Sequence, residues 1–302
     1  MSVRANTHGG MIPHPGAVLE LLKPVTWFPP MWAYFCGVVS VGLPLAPRWE
    51  LVALGVLLAG PMVCAMSQAA NDWCDRHVDA LNEPDRPIPS GRIPGRWGLW
   101  IAIFWTVLSL GVATLLGPWG FVAAVFAVIC AWAYSVEPIR LKRNGWWGNA
   151  AVGICYEGVP WFTGAAVVAA ALPDWRIILV ALLYSAGAHG IMTLNDFKSI
   201  EGDRRMGVGS LPAKLGPERA ARLACWVMAI PQAMVLVLLV AWDKPIHALI
   251  VGAVLLGQLL LMRRLLSDPK RLAPWYNGTG IILYVSGMMT SAVALGSMAG
   301  AS

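Results

Sequence analysis

Long apolar runs separated by short polar stretches organise the whole chain. Nine of them, at about 27–46, 49–70, 97–116, 119–136, 146–172, 175–194, 220–241, 246–266 and 279–299, come close to the roughly 20 helical residues needed to cross a hydrocarbon core. Lipid satisfies no backbone N–H or C=O, so runs of this kind must be helical. The pattern predicts an all-α fold: one polytopic membrane domain over residues 1–302, a bundle of nine transmembrane helices. A shorter run at 16–23 has Val18, Leu19 and Leu22 available to face lipid. It predicts an interfacial helix in an N-terminal segment, 1–26. Two longer polar connections, 71–96 and 195–219, are predicted to cap the bundle. Pro29, Pro30 and Pro160 predict kinks or helix ends.

Composition supports the pattern. Of 302 residues, 58% are apolar and 13% charged, with mean hydropathy +0.63, against roughly 25% charged in soluble domains. Basic residues set the orientation. With the N-terminus in the cytoplasm, Arg4 and Lys23, then Arg76, Arg86, Arg92 and Arg96, Arg140, Lys142 and Arg143, the six between Lys198 and Arg222, and Arg263, Arg264, Lys270 and Arg271 all lie inside. Only Arg48, Arg176 and Lys244 of the 22 Lys and Arg fall on the other face. This bias predicts a cytoplasmic N-terminus and a periplasmic C-terminus. The net charge of +6 then reflects topology and anionic headgroups. No basic stripe interleaved with stacking aromatics points to nucleic acid. The six Cys show no paired metal-ligand spacing, and the 16 Trp suit interfacial anchors. Residues 1–15 lack the features of a signal or transit peptide, so a bacterial inner membrane is the simplest setting.

The chemistry lies in a repeat. Asn71-Asp72-x-x-Asp75-x-x-x-Asp79 returns 124 residues later as Asn195-Asp196, with Asp203 matching Asp79 and Ser199 standing against Asp75. On a helix Asp72, Asp75 and Asp79 share a face and would repel one another without a cation. Each motif ends an apolar run, so the halves suit a clamp across one cavity in which divalent cations and diphosphate oxygens meet. Loss of diphosphate from a carbon needs its growing negative charge neutralised in a site shielded from water. Tyr134, Arg140, Lys142 and Arg143 follow the fourth run, where they can supply donors; Arg76 and Arg86 are further candidates. Glu157, midway along the fifth run, is expected to face the interior, lining an acceptor cavity with Tyr156. His189 is either a pigment-metal ligand or a hydrogen-bonded core group.

NDWCDRHVDALNEPDRPIPSG (71–91), YSVEPIRLKRNGWWGN (134–149) and NDFKSIEGDRRMGVGSLPAKLG (195–216) together resemble the UbiA-type intramembrane prenyltransferases, most closely the branch that makes chlorophylls and bacteriochlorophylls. The resemblance implies nine helices around a central cavity with an active site toward the cytoplasm. It also implies Mg²⁺, two ions held by Asn71, Asp72, Asp75 and Asp79 and by Asp196 and Asp203. Diphosphate contacts are implied at Tyr134 and Lys142, with Asn71, Arg76 and Asn195 beside them. The implied reaction joins geranylgeranyl or phytyl diphosphate to the propionate of a chlorophyllide or bacteriochlorophyllide, with pigment-biosynthesis proteins as possible partners. Ser199 departs from the acid usual in the family at that position. Other readings are polyprenyl transfer to a quinone-precursor ring or to haem, a transporter, and a pigment-binding assembly subunit. A transporter's charges should lie at the bilayer midplane, whereas these lie at one mouth.

Overall fold

The computed structural model describes residues 12–299. Arg4, among the residues that set the orientation, and most of the 1–15 stretch lie outside the described residues. Helix α1 (Pro15–Leu22) starts with Pro15 at its first position, where a missing N–H costs nothing, and His14 Nδ1 accepts from the Gly16 N–H at 3.1 Å. Helix α2 (Phe28–Ser40) also opens on prolines. Helix α3 (Trp49–Leu57) passes through a π-turn containing Pro61 (Leu58–Cys64) into α4 (Ala65–Asn82). Then come α5 (Trp97–Ala113) and α6 (Gly117–Ser135), packed together and joined through Gly117 at φ +75°. Helix α7 (Gly145–Gly153) leads through a second π-turn (Ile154–Gly158) to α8 (Val159–Ala169). Helix α9 (Trp175–Asn195) is followed by the short α10 (Ile200–Met206) and α11 (Leu211–Leu215). Helices α12 (Pro217–Ala241), α13 (Pro245–Leu265) and α14 (Pro269–Ala299) complete the chain.

The fold is all-α and built to sit in a membrane. Among the described residues, seven helical stretches are long and apolar enough to cross one. Trp97–Ser135 is one such stretch but contains α5 and α6, and α2, at 13 residues, is too short to qualify. Predicted and observed helices otherwise overlap closely, with three corrections, one being that α14 begins at Pro269, ten residues before the ninth predicted run. Helix α4 does not stop at 70 but carries the first acidic motif to Asn82, so that motif is helical and only 83–96 is loop. The predicted cap at 195–219 contains α10 and α11. Helix α1 also departs from expectation: Leu22, with Ala17 and Leu21, is buried in one cluster with Ala65, Met66, Ala69 and Ala70 of α4, while Leu19 remains exposed. A lipid-facing Leu22 would have left α1 an anchor. Packing on α4 makes it part of the site.

Small residues let the helices approach closely, as membrane bundles require where hydrophobic burial between helices gains little. A β-carbon on Gly164 of α8 would lie 2.1 Å from the Tyr34 carbonyl oxygen, and one on Gly37 of α2 would lie 1.9 Å from that of Trp161. Beyond this crossing, Tyr284 donates to the Tyr184 carbonyl and Tyr184 pairs with Ser291 at 2.9 Å. Gln232 and Gln258 exchange two amide hydrogen bonds at 3.1 and 2.7 Å. Gly164→Val is therefore expected to separate α2 from α8 at a cost of about 1–3 kcal/mol, lowering the melting temperature in detergent. An unchanged melt would show that the crossing can repack.

Candidate active site

The π-turn before α4 delivers a helix whose polar face runs Gln68, Asp72, Asp75 and Asp79, at offsets of 4, 7 and 11 residues. Asp72 is only 2% exposed. Its Oδ1 receives Lys23 Nζ at 2.6 Å and Arg86 Nη1 at 3.4 Å, while its Oδ2 is buried without a partner. Arg86 also holds Asp79 at 2.9 Å. Asp75 is gripped by Arg140 at 2.9 Å and Lys142 at 2.6 Å. Asn71 accepts from Lys142 at 3.0 Å and Ser135 at 3.3 Å and donates to Asp72 at 3.4 Å. Three carboxylates thus face four cations. Burial holds the Lys142 ammonium below the ordinary lysine range, against the opposing pull of Asp75.

The second motif is assembled differently. Asp196 accepts from Asn149 Nδ2 at 3.2 Å, and the same amide reaches Thr193 at 3.2 Å. Asp203 accepts from Ser199 at 3.0 Å and Ser210 at 2.6 Å. Neutral donors, not ion pairs, hold this pair. Ser199, standing where the first motif has Asp75, keeps a role as a donor to its neighbouring acid. The two motifs meet: the Tyr134 hydroxyl lies within Coulombic reach of Asp75, Asp196 and Asp203. Asn82 at the end of α4 touches Met206 at the end of α10, Nδ2 to Sδ 3.4 Å, again 124 residues apart. Backbone bonds stitch the neighbouring loops, Gly145 N–H to Gly209 O and Gly209 N–H to Arg143 O, both 2.9 Å. That seam carries Lys142 and Ser210 to one mouth.

Other expectations fare unevenly. Arg76 turns away from the acids, donating to the Trp73 carbonyl at 2.8 Å with its guanidinium 4.1 Å from that ring's centre. Arg86 takes the position expected of it. Asn149, outside both motifs, supplies the amide on Asp196. Arg143 pairs with Glu137 at 2.7 Å. The Tyr156 hydroxyl accepts from Gln68 at 2.9 Å, one turn below Asp72, and from Cys64 at 3.3 Å. It therefore lines the floor of the site. Glu157 is buried in the π-turn with Oε2 unpartnered, within Coulombic reach of Cys36 and Tyr284. His189 Nε2 meets the Trp146 carbonyl at 3.1 Å, which fixes the proton on Nε2, and the rings sit 4.6 Å apart. That contact ties His189 into the core through Nε2, while its Nδ1 is buried without a partner. Sequence reasoning counted Lys23 only as a topological charge and missed Gln68, Ser135, Asn149 and Ser210. Gln68 alone had a readable signal, the spacing of four to Asp72.

Among the described residues, no three Asp, Glu, His or Cys side chains converge on one point as a ready metal cage. The donors nonetheless suit a hard cation: they are all oxygens, and Asp72 Oδ2 has no other use for its lone pairs. Among the helices, an apolar cavity of about 40 Å³ is lined by Leu58, Val63, Ala124, Ala127, Cys155 and Pro160, among others. Polar mouth and greasy flank together suit a molecule with a charged head and a hydrocarbon tail. A model of the UbiA prenyltransferase family matches residues 28–286. The chain belongs to this family.

Its likeness within the family is specific. The chain is 66% identical over 295 residues to the bacteriochlorophyll synthase 33 kDa chain of Cereibacter sphaeroides, covering 98% of each. It is 37% identical to the chloroplastic chlorophyll synthase of Arabidopsis thaliana, covering 91% of this chain and 73% of that one. Among solved structures, a UbiA homolog from Archaeoglobus fulgidus bound to GPP and Mg²⁺ has the same fold, with TM-score 0.70, 22% identity, and 91% and 99% of the two chains covered. UbiA-family membership makes this chain a multi-pass membrane prenyltransferase.

Proposed function

We propose that this prenyltransferase esterifies the propionate of bacteriochlorophyllide with geranylgeranyl or phytyl diphosphate and releases diphosphate. The observation that carries the reading is the convergence of both acidic motifs and a cationic set on one mouth, in a chain 66% identical to a bacteriochlorophyll synthase. One membrane domain carries it, with nine crossings, the mouth toward the cytoplasm and the C-terminus toward the periplasm of a bacterial inner membrane. Contacts with other pigment-biosynthesis proteins fit that setting.

Two magnesium ions would be held by Asn71, Asp72, Asp75 and Asp79 and by Asp196 and Asp203, supplying positive charge to the diphosphate oxygens. The chain's own residues do the rest. Arg86, Arg140 and Lys142 are long, flexible cations already at the acids, and they bind the diphosphate head when it arrives. As the bond between the allylic carbon and the diphosphate oxygen breaks, the electron pair leaves with oxygen, and Arg140 and Lys142 stabilise the charge that gathers there. Tyr134 and Tyr156 present hydroxyls and aromatic rings between the motifs and the interior. The apolar helix faces below the mouth suit the prenyl tail and keep water from the carbon. A propionate is already ionised at neutral pH, so one of its oxygens supplies the pair for the new C–O bond and no proton moves.

The test is direct. Purified protein in detergent, given geranylgeranyl diphosphate, bacteriochlorophyllide and Mg²⁺, is expected to yield the esterified pigment by chromatography, with one diphosphate per ester. Parallel arms with chlorophyllide and with phytyl diphosphate rank acceptor and donor. Diphosphate release with free prenyl alcohol as the sole product, or transfer only to a quinone-precursor ring, would overturn the assignment.

A further inference from the structure

We propose that the Glu20–Arg92 ion pair is a positioning device that clamps α1 to the 83–96 loop and so holds the Lys23 ammonium at Asp72, making Lys23 a further binding residue for the diphosphate of the donor. The inference rests on the transferase reading above. It begins with the weakness of α1 alone. A helix of eight residues is far below the roughly 12–15 at which isolated helices become even marginal in water. Three buried side chains, Ala17, Leu21 and Leu22, seat it on α4. Something else must fix its register.

Arg92 supplies that fix. Its guanidinium meets both Glu20 oxygens, through Nη1 to Oε2 and through Nη2 to Oε1 at 2.8 Å. Nη2 also donates to the Asp85 carbonyl at 2.6 Å, and Nε to Ser90 Oγ at 3.1 Å. Every nitrogen of the planar fork is used, which fixes direction as well as distance. Next to it, Ile93 is buried in the same cluster as α1 and α4. An exposed ion pair contributes little to stability. Its value here is placement.

Lys23 is the residue that this placement serves. It directly follows α1 with φ +48° and ψ 67°, a left-handed conformation uncommon outside Gly, Asn and Asp. Such a backbone persists where its surroundings over-determine it. Here the Lys23 carbonyl accepts from Thr26 Oγ1 at 2.8 Å and from the Thr26 N–H at 2.9 Å, and Trp27 Nε1 donates to the Leu22 carbonyl at 2.8 Å. The outcome is a lysine aimed at Asp72 Oδ1, 2.6 Å away. The same loop that bears Arg92 bears Arg86, the other cation on that oxygen. Lys23 and Arg86 keep side-chain exposures of 24% and 28% while Asp72 keeps 3%. The cations therefore face the opening from which a soluble diphosphate head arrives, and the acid sits behind them. One loop sets both cations, Arg86 directly and Lys23 through the clamp.

Reversing the clamp tests this. Lys23→Met, Glu20→Arg, Arg92→Glu and the double swap Glu20→Arg/Arg92→Glu are compared for the KM of geranylgeranyl diphosphate, the KM of the acceptor, and calorimetric binding of inorganic pyrophosphate with Mg²⁺. Lys23→Met and each single reversal are expected to raise the donor KM and weaken pyrophosphate about tenfold, with the acceptor KM unchanged. The double swap is expected to restore both, and Lys23→Arg to keep most of the affinity. Unaltered donor KM and pyrophosphate affinity in Lys23→Met, single reversals that act equally on both substrates, or a double swap without recovery would each overturn the proposal. If the wild-type protein forms no ester, the functional reading fails. Pyrophosphate binding then still judges the clamp.

Discussion

Asp72→Ala is expected to lower ester formation by on the order of 10³-fold or more, with the protein still folded in detergent. The charge balance makes the result diagnostic. Three carboxylates face four cations at this site, Lys23 and Arg86 both resting on one oxygen of Asp72. Removing Asp72 frees Lys23, leaves Arg86 on Asp79 and makes the mouth more positive. If the acid were only a counter-ion, the donor's diphosphate would bind more tightly and turnover would hold or rise. A collapse of kcat with an unchanged or lower donor KM is expected only if the carboxylate itself, with its unpartnered Oδ2, serves the metal. Asp72→Asn, which keeps the size and removes the charge, is expected to fall as far. Asp79→Ala should follow, since Asp79 shares Arg86 with Asp72. Full activity in both alanine variants would remove the first site from the mechanism.

Stripping Mg²⁺ with a chelator should stop turnover completely, and restoring the ion should bring it back. The ion pairs give the physical reason. The acids hold Lys23, Arg86, Arg140 and Lys142, and a divalent ion on the carboxylates would leave these cations to the diphosphate. Chelation therefore removes the metal's own charge and also ties up the protein's cations. The thermal melt, by contrast, should barely move, because the same pairs already neutralise the acids of the first motif. A large fall in melting temperature on chelation would mean that the ion holds the fold together. Persistent turnover without it would mean that the side-chain cations alone carry the leaving group.

Much of this was legible in advance because membranes enforce a simple grammar. Apolar run length gives most helices to within a few residues, and the repeated Asn-Asp spacing marks Asp72, Asp75, Asp79, Asp196 and Asp203, which the fold gathers at one mouth. Lys142 and Tyr134 were found through their motif. Less visible were residues whose role depends on how helices approach each other. Asn149 reaches Asp196 from another helix across 47 positions, and Ser135 reaches Asn71 across 64. Such donors have no local pattern. Arg76 and Arg86 looked equivalent, yet Arg76 finds its own Trp73 ring while the loop after Asn82 brings Arg86 back over the acids. Helix α1 read as a surface anchor because its amphipathic face says only that it must be covered, and the covering surface was α4 instead of lipid.

The sequence by itself determined the class, the helices, the acidic repeat and the chemistry that repeat favours, since hydrophobic length and charge along the chain are one-dimensional quantities. Folding in three dimensions sets which cations meet which acids, that Lys23 contacts Asp72, and that Asn149 and Ser210 hydrogen-bond Asp196 and Asp203. Ion pairs and hydrogen bonds act over about 3 Å, and contacts at that range between residues dozens of positions apart are set by helix crossings and loop paths.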